Sequence, residues 1–158
     1  RSSSTKFEPE GTMTRAMLVT VLWRYAGEPK PKKQSRFTDL DADWYRDAVN
    51  WAFEDSVVMG TSATKFAPND PLTREQIATI LYRFSDAEKS GVTGNISGFS
   101  DYSKVSGVAR DAMAWANGSG LIRGVGTVSG VLLDPLGKAM RAQVAAILSR
   151  FIGSSPEV

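Results

Sequence analysis

Three copies of one short pattern, set at one internal register, constrain this chain more than any other feature. The clearest copy runs Phe66-Ala-Pro-Asn-Asp-Pro-Leu-Thr-Arg-Glu-Gln-Ile-Ala-Thr-Ile-Leu-Tyr-Arg-Phe84. It reads as a loop feeding a helix. Pro68 and Pro71 break the chain before the helix begins. Thr73 occupies the N-cap position, and Gln76 follows three residues later, which predicts a capping box. Ile77, Ile80, Leu81 and Phe84 then recur on one helical face. Phe7, Pro9, Thr14 and Arg15 repeat Phe66, Pro68, Thr73 and Arg74, and Leu133, Pro135, Met140 and Arg141 repeat them again. Arginine falls eight residues after the leading apolar residue each time. The faces Leu18/Val21/Leu22/Tyr25 and Val144/Ile147/Leu148/Phe151 match as well. A repeat protein is therefore expected.

The repeats divide the chain. Residues 7–26 read as the second half of a first unit, 37–84 as a whole second unit, and 99–152 as a whole third unit. Residues 27–36 and 85–98 are linkers of Pro, Gly, Ser and charged residues, and the Ser-rich stretch 1–6 is a disordered lead-in. Each whole unit is helix, Gly-containing loop, helix. In the second unit Asp43 is the expected N-cap, and Trp44, Ala48, Trp51 and Ala52 form a face. Val57 to Gly60 end that helix, with Gly60 suited to a left-handed backbone position. In the third unit Phe99 and Asp101 match Phe37 and Asp39, Trp115 matches Trp51, and Gly124 matches Gly60. Ser106 stands at the offset of Trp44. The loop from Gly124 to Leu133 is three residues longer than its counterpart, long enough for a small hairpin or flap. A single helix pair cannot bury its face, so the units must pack together into one all-α domain. The three second helices are expected to form a three-helix core, with the first helices as outer lobes. The first unit lacks its leading helix, which leaves apolar surface near Phe7 to Tyr25 open to a partner chain.

Composition narrows the function. A net charge of +2, with no basic run interleaved with aromatics, argues against nucleic acid. No apolar stretch approaches a membrane span, and no signal peptide is visible, so the chain is cytosolic, or mature or excised. Cysteine and histidine are absent. That removes disulfides, thiolate metal sites, the commonest general base and the commonest zinc ligand. Asp39, Asp41 and Asp43 alternate in a loop, with neither the glycine turn and terminal glutamate of an EF-hand nor an apolar wall to raise a pKa for glycoside hydrolysis. No phosphate loop or nucleophile motif occurs. The sequence thus calls for no enzyme activity, metal or cofactor.

The pattern Phe37-x-Asp39, Trp44, Ala48, Trp51-Ala52, Gly60, Phe66-x-Pro68, Thr73-Arg74-Glu75-Gln76 resembles the S-layer homology (SLH) domain. Thr14-Arg15-Ala16 and Arg141-Ala142-Gln143 resemble the threonine-arginine-alanine-glutamate signature of that family, although its glutamate is replaced by Met17, Gln76 and Gln143. The likeness covers about Phe7 to Phe151. It implies tandem units in a pseudo-threefold spindle. It also implies a bacterial cell-surface location, as in an S-layer, and non-covalent anchoring to a secondary cell-wall polysaccharide. In many members the recognised group is a pyruvylated, hence acidic, sugar. The implied grooves lie between units, with the signature arginine, an aspartate and a loop glycine contributing.

Arg15, Arg74 and Arg141 are the sharpest candidates. A cation in the first helical turn is disfavoured by about 0.3–1 kcal/mol, so its threefold recurrence needs a reason. One reason is an anion receptor, with helix N–H groups and a guanidinium fork meeting a carboxylate. The other is a structural ion pair with Asp39, Asp101 or another acid. Asp39 and Asp101 also suit turn capping, and Gly60 and Gly124 suit helix ends. Trp44 suits either packing or stacking on a sugar. Trp51 and Trp115 belong to the core, and Trp23 suits the edge of the missing lobe. Met140 removes one side-chain cap. Against the anchoring reading stands a structural module that recruits a second copy or a partner chain through the incomplete first unit.

Overall fold

A computed structural model describes residues 11–91, 94–128 and 130–154. Phe7 and Pro9, the stretch 1–6, and residues 92–93 of the second linker lie outside the described residues. Among the described residues the chain forms α1 (Arg15–Tyr25), α2 (Asp43–Glu54), α3 (Arg74–Phe84), α4 (Arg110–Gly118) and α5 (Arg141–Ser154). It adds one antiparallel hairpin, β1 (Val125–Thr127) with β2 (Gly130–Leu132), in the long loop where one was expected. The architecture is mostly helical, as the repeats require.

The three arginine-led helices start together. Met13 N–H donates to Ala139 O (3.0 Å), Ala139 N–H to Leu72 O (2.9 Å), and Leu72 N–H to Met13 O (2.8 Å). These bonds close a triangle of main chain just ahead of α1, α3 and α5, flanked by the bridges Thr12–Met140, Thr14–Pro71 and Thr73–Lys138. At the far end Phe84 meets Tyr25 and Phe151, with ring centroids 6.1 and 6.0 Å apart. Leu18, Leu22, Ile77, Leu81, Val144 and Ile147 are buried along the helices.

Helix ends follow local chemistry. The capping box forms on α3: Gln76 N–H reaches Thr73 Oγ1 (3.3 Å) and Thr73 N–H reaches Gln76 Oε1 (2.9 Å). On α1 Thr14 caps Met17 N–H (3.2 Å), while on α5 Gln143 Oε1 takes Met140 N–H (3.0 Å). Each of those ends keeps one half of the box. The expected end of α2 is corrected. The helix stops at Glu54, and Ser56 adopts φ 60°, with Gly120 at φ 74° in the matching place after α4. Asp43 is the first residue of α2, pairing with Arg46, and Ala42 is the uncapped N-cap.

Two packing expectations change. The closest helix partnerships join successive units: α2 lies on α1, and α4 lies on α3. Consequently α1 is covered on the side of Ala16, Val19 and Thr20, all buried, while Val21, Arg24 and Tyr25 are exposed. Part of the expected open apolar surface is therefore present on α1, at Val21 and Tyr25. The residues of α5 that match Ala16, Val19 and Thr20 are Ala142, Ala145 and Ala146, and all three are exposed. Trp23 covers no missing lobe either; its Nε1 donates to Pro29 O (2.9 Å) and pins the first linker to α1.

Phe66 is fully buried against Phe37, at a 5.6 Å centroid distance, and under the Arg15 guanidinium. Phe66→Ala should cost about 3–5 kcal/mol by the usual cavity penalty, read as a lowered midpoint in urea unfolding.

Candidate functional site: arginine clefts between neighbouring units

Each helix start is seated in the loop of the following unit. Arg15 N–H donates to Asp70 O (3.0 Å) and Ala16 N–H to Pro68 O (2.9 Å). Arg74 N–H donates to Gly137 O (3.0 Å), and Glu75 N–H to Pro135 O (3.0 Å). Arg141 N–H donates to Gly11 O (2.8 Å), which closes the cycle. The first amides of α1 and α3 are thus already occupied, so they are not open to a ligand. That corrects the picture of an anion held by helix N–H groups, since four orphan amides are what such a site requires.

The arginine side chains extend the same contact. Arg15 donates from Nε to Phe66 O and from Nη2 to Met59 O, each at 2.8 Å, and its guanidinium lies 4.7 Å from the Phe66 ring centroid. Arg74 donates from Nε to Leu133 O (3.0 Å) and from Nη2 to Arg123 O (2.7 Å). Both arginines are buried. Burial depresses the pKa of each, while Asp70 and Asp39 oppose the shift at Arg15, and Asp134 and Asp101 oppose it at Arg74. Both stay cationic at any physiological pH. Among the described residues neither arginine forms the expected ion pair with Asp39 or Asp101: main-chain carbonyls take the bonds, and the acids act from a distance. Two of five guanidinium donors are used in each case, leaving three N–H groups without a protein acceptor among the described residues.

Arg141 breaks the pattern. Its Nε is buried with no hydrogen-bond partner among the described residues. Phe7, the residue in register with Phe66 and Leu133, lies outside the described residues.

Asp39 and Asp101 brace the loops. Asp39 accepts N–H bonds from Phe66 (3.0 Å) and Ala67 (2.8 Å). Asp101 accepts them from Leu133 (2.9 Å) and Asp134 (2.8 Å). Ala67 and Asp134 have φ of 58° and 50°, a left-handed conformation that costs a side-chain-bearing residue about 1–2 kcal/mol. Each carboxylate thus offsets a strained turn. Burial acts to raise the Asp39 pKa, but the Phe66 and Ala67 amides and the nearby Lys65 outweigh it and hold the carboxyl below its ordinary value. Asp39 thus faces loop amides while Asp43 pairs with Arg46.

Gly60 and Gly124 carry no left-handed φ, contrary to expectation. Their requirement is space. A Cβ on Gly60 would lie 2.5 Å from Ser62 O and 2.6 Å from Lys65 O, and one on Gly124 would lie 2.0 Å from Val131 Cγ1. Trp44 is half exposed and meets Tyr45 edge-on at 4.8 Å. No contact brings it to Arg15. Ser106 instead caps a short turn before α4 and bonds the buried Glu75 carboxylate through N–H (2.9 Å) and Oγ (2.6 Å). Counted back from the matching tryptophans, Val108 stands where Trp44 does.

The structure thus gathers Arg15, Asp39 and Gly60 on one loop and Arg74, Asp101 and Gly124 on another. Beside Arg74 a crevice of ≈ 250 Å³ opens, lined by Arg123, Gly124, Gln143, Ala146 and Arg150 among others, with no carboxylate in its wall. Arg150 Nη1 holds Leu121 O at 3.2 Å. Arg123, Gln143 and Arg150 were missed as site residues. For Arg150 a signal existed: Arg24, Arg83 and Arg150 recur nine residues after the three leading arginines.

Residues 36–78 match the family model of the S-layer homology domain. The Surface-layer 125 kDa protein of Lysinibacillus sphaericus is 35% identical over 147 residues, covering 92% of this chain and 12% of that protein. Exoglucanase XynX of Acetivibrio thermocellus is 30% identical over 149 residues, covering 92% of the chain and 13% of the relative. The Amylopullulanase of Thermoanaerobacterium thermosulfurigenes is 28% identical over 159 residues, covering 99% and 8%. The chain therefore spans a small fraction of each of these relatives.

Replacing Arg15 or Arg74 by alanine leaves paired carbonyls without their donor. Each change should lower stability by about 1.5–3 kcal/mol, the range for hydrogen bonds to a charged group. Urea unfolding reads each loss, and an unchanged midpoint in either variant would contradict this geometry. Asp39 adds a pH dependence. Its folded pKa lies below the unfolded one, so its stabilisation is present above the unfolded value, near 3.9, and fades as pH falls through the folded value. Asp39→Asn should therefore be weaker than the parent at pH 7, with the gap narrowing below about pH 4 in acid unfolding.

Proposed function

The chain belongs to the S-layer homology family, its match running over residues 36–78, and we propose that it anchors a bacterial surface protein by binding an acidic cell-wall polysaccharide. No helix among the described residues is long and apolar enough to cross a membrane. The reading assigns binding and no bond-breaking step. The observation that carries it is the crevice beside Arg74, where Arg74, Arg123 and Arg150 line one wall system without a carboxylate. Guanidinium donors not engaged by carbonyls offer an acidic sugar charge-assisted hydrogen bonds. Gly124 lines the crevice, and the volume lies below the ~300–1,000 Å³ of pockets for drug-sized ligands. It suits one sugar-sized group, of which a pyruvylated residue is one example. The cleft at Arg15, with Asp39 and Gly60, is its counterpart. The relatives fit the reading, since a surface-layer protein and two polysaccharide-named enzymes share a segment of this kind.

A second reading has one observation in its favour. The exposed side of α5, with Ala142, Ala145 and Ala146, suits a protein partner or a second copy. Sedimentation across a concentration series separates the two: self-association without glycan binding favours the module, and a monomer that binds glycan favours the anchor.

The anchoring test uses isolated cell-wall polysaccharide before and after removal of its acidic substituents. Retention should require those substituents. Ala146→Trp, which fills the crevice from an exposed position, should weaken retention by about tenfold, or 1.4 kcal/mol. Undiminished binding to the stripped polymer, or by the filled variant, counts against the reading.

A further inference from the structure

The two arginine joints share one backbone design but differ in the side chain that precedes the loop glycine. Arg15 Nη2 is received by Met59 O at 2.8 Å, and Arg74 Nη2 by Arg123 O at 2.7 Å. Met59 and Arg123 therefore occupy the same place, each immediately before the glycine that admits close approach. Their main chains do the same work, so their side chains are free to diverge. Both are exposed: Met59 at 65%, and Arg123 on the wall of the crevice. Gln76 and Arg83 repeat Gln143 and Arg150 by register, so the facing helices carry the same polar groups at both clefts. The hairpin β1–β2 follows Arg123 directly, and Val131 of that hairpin presses on Gly124, where a Cβ would meet it at 2.0 Å. Arg123 is thus presented by a shaped segment rather than by a plain loop.

We infer that Arg123 is the charge-selecting residue of the cleft beside Arg74, which takes the acidic group of a glycan, whereas the cleft beside Arg15, with Met59 in that place, offers an apolar contact and discriminates less against neutral sugar. The inference rests on the anchoring reading above. Its physical basis is the difference between a planar, always-charged fork and a polarisable thioether. The first forms paired bonds to a carboxylate, and the second packs on the apolar face of a ring. A third guanidinium near Arg74 and Arg150 also raises the local positive potential, so binding there should weaken more steeply with added salt.

The experiment is calorimetric titration of the chain with an acidic oligosaccharide released from bacterial cell-wall polymer, and with the same oligosaccharide after carboxyl reduction. Arg123→Met should weaken binding of the acidic form by about tenfold and flatten its salt dependence, with little change toward the reduced form. Arg123→Lys should restore the salt dependence but only part of the affinity, because an ammonium lacks the fork. Met59→Arg should raise affinity for the acidic form. Thermal unfolding of each variant confirms that the exposed change leaves the fold intact. An Arg123→Met chain that binds the acidic form with parental affinity and salt dependence overturns the inference while leaving the anchoring reading standing. A parent chain that binds neither form removes both.

Discussion

Everything in this molecule depends on the capture of each arginine-led helix start by carbonyl oxygens of the next unit. The triangle of bonds among Met13, Ala139 and Leu72 sets three helices side by side. The carbonyls of Asp70, Gly137 and Gly11 then take the first amide of α1, α3 and α5. In an isolated helix those amides would be orphaned, and the remedy is normally a side-chain cap or water. Here the remedy comes from another unit, so secondary structure and assembly of the units are one event. Neither half of the contact is satisfied until the units meet, which is the physical meaning of a repeat that cannot stand alone.

The same contact resolves the arginine problem. A guanidinium at the positive end of a helix is locally unfavourable. In this fold it does not remain at the helix end: it reaches into the facing loop, where Phe66 O and Met59 O, or Leu133 O and Arg123 O, present negative partial charge. The cost is met by hydrogen bonds, and no carboxylate has to be brought within bonding distance. The loops can hold that shape because Asp39 and Asp101 clamp the left-handed turns at Ala67 and Asp134. Arginine, aspartate and glycine therefore recur together as parts of one mechanical joint. Any ligand role is an additional use of donors that the joint leaves over.

This division explains what the sequence made legible. The register of Arg15, Arg74 and Arg141 exposed the repeat, and Thr73 with Gln76 exposed the start of α3, because both signals are local. The partner of each helix was not legible. Nothing within residues 37–84 indicates that α2 lies on α1 of the preceding unit, and that single fact covers one side of α1 while the matching side of α5 stays exposed. Gly60 and Gly124 were visible as required glycines, but whether the reason was a left-handed φ or lack of room depends on Lys65 O and Val131, which only the fold brings near. Ser56 ends α2 in a conformation for which serine gives no warning. The wall of the crevice was half legible: Arg150 announced itself through Arg24 and Arg83, whereas Arg123 had no counterpart, since Met59 stands in its place.

The cyclic joint also has an asymmetric consequence. A ring of three contacts needs three arginines, three loops and three covering helices, and the described residues supply the first in full and the rest in part. Where α2 and α4 cover α1 and α3, Arg15 and Arg74 each give two of their donors to carbonyls of the facing loop. On α5 the matching side, Ala142, Ala145 and Ala146, is exposed among the described residues. The two surfaces are not separate, because Ala146 lies both on that exposed side of α5 and in the wall of the crevice beside Arg74. A larger side chain at Ala146 would therefore change the shape of the α5 face and the volume of the crevice together, so charge at Arg74, Arg123 and Arg150 can vary without altering the face, whereas shape cannot vary without altering the crevice.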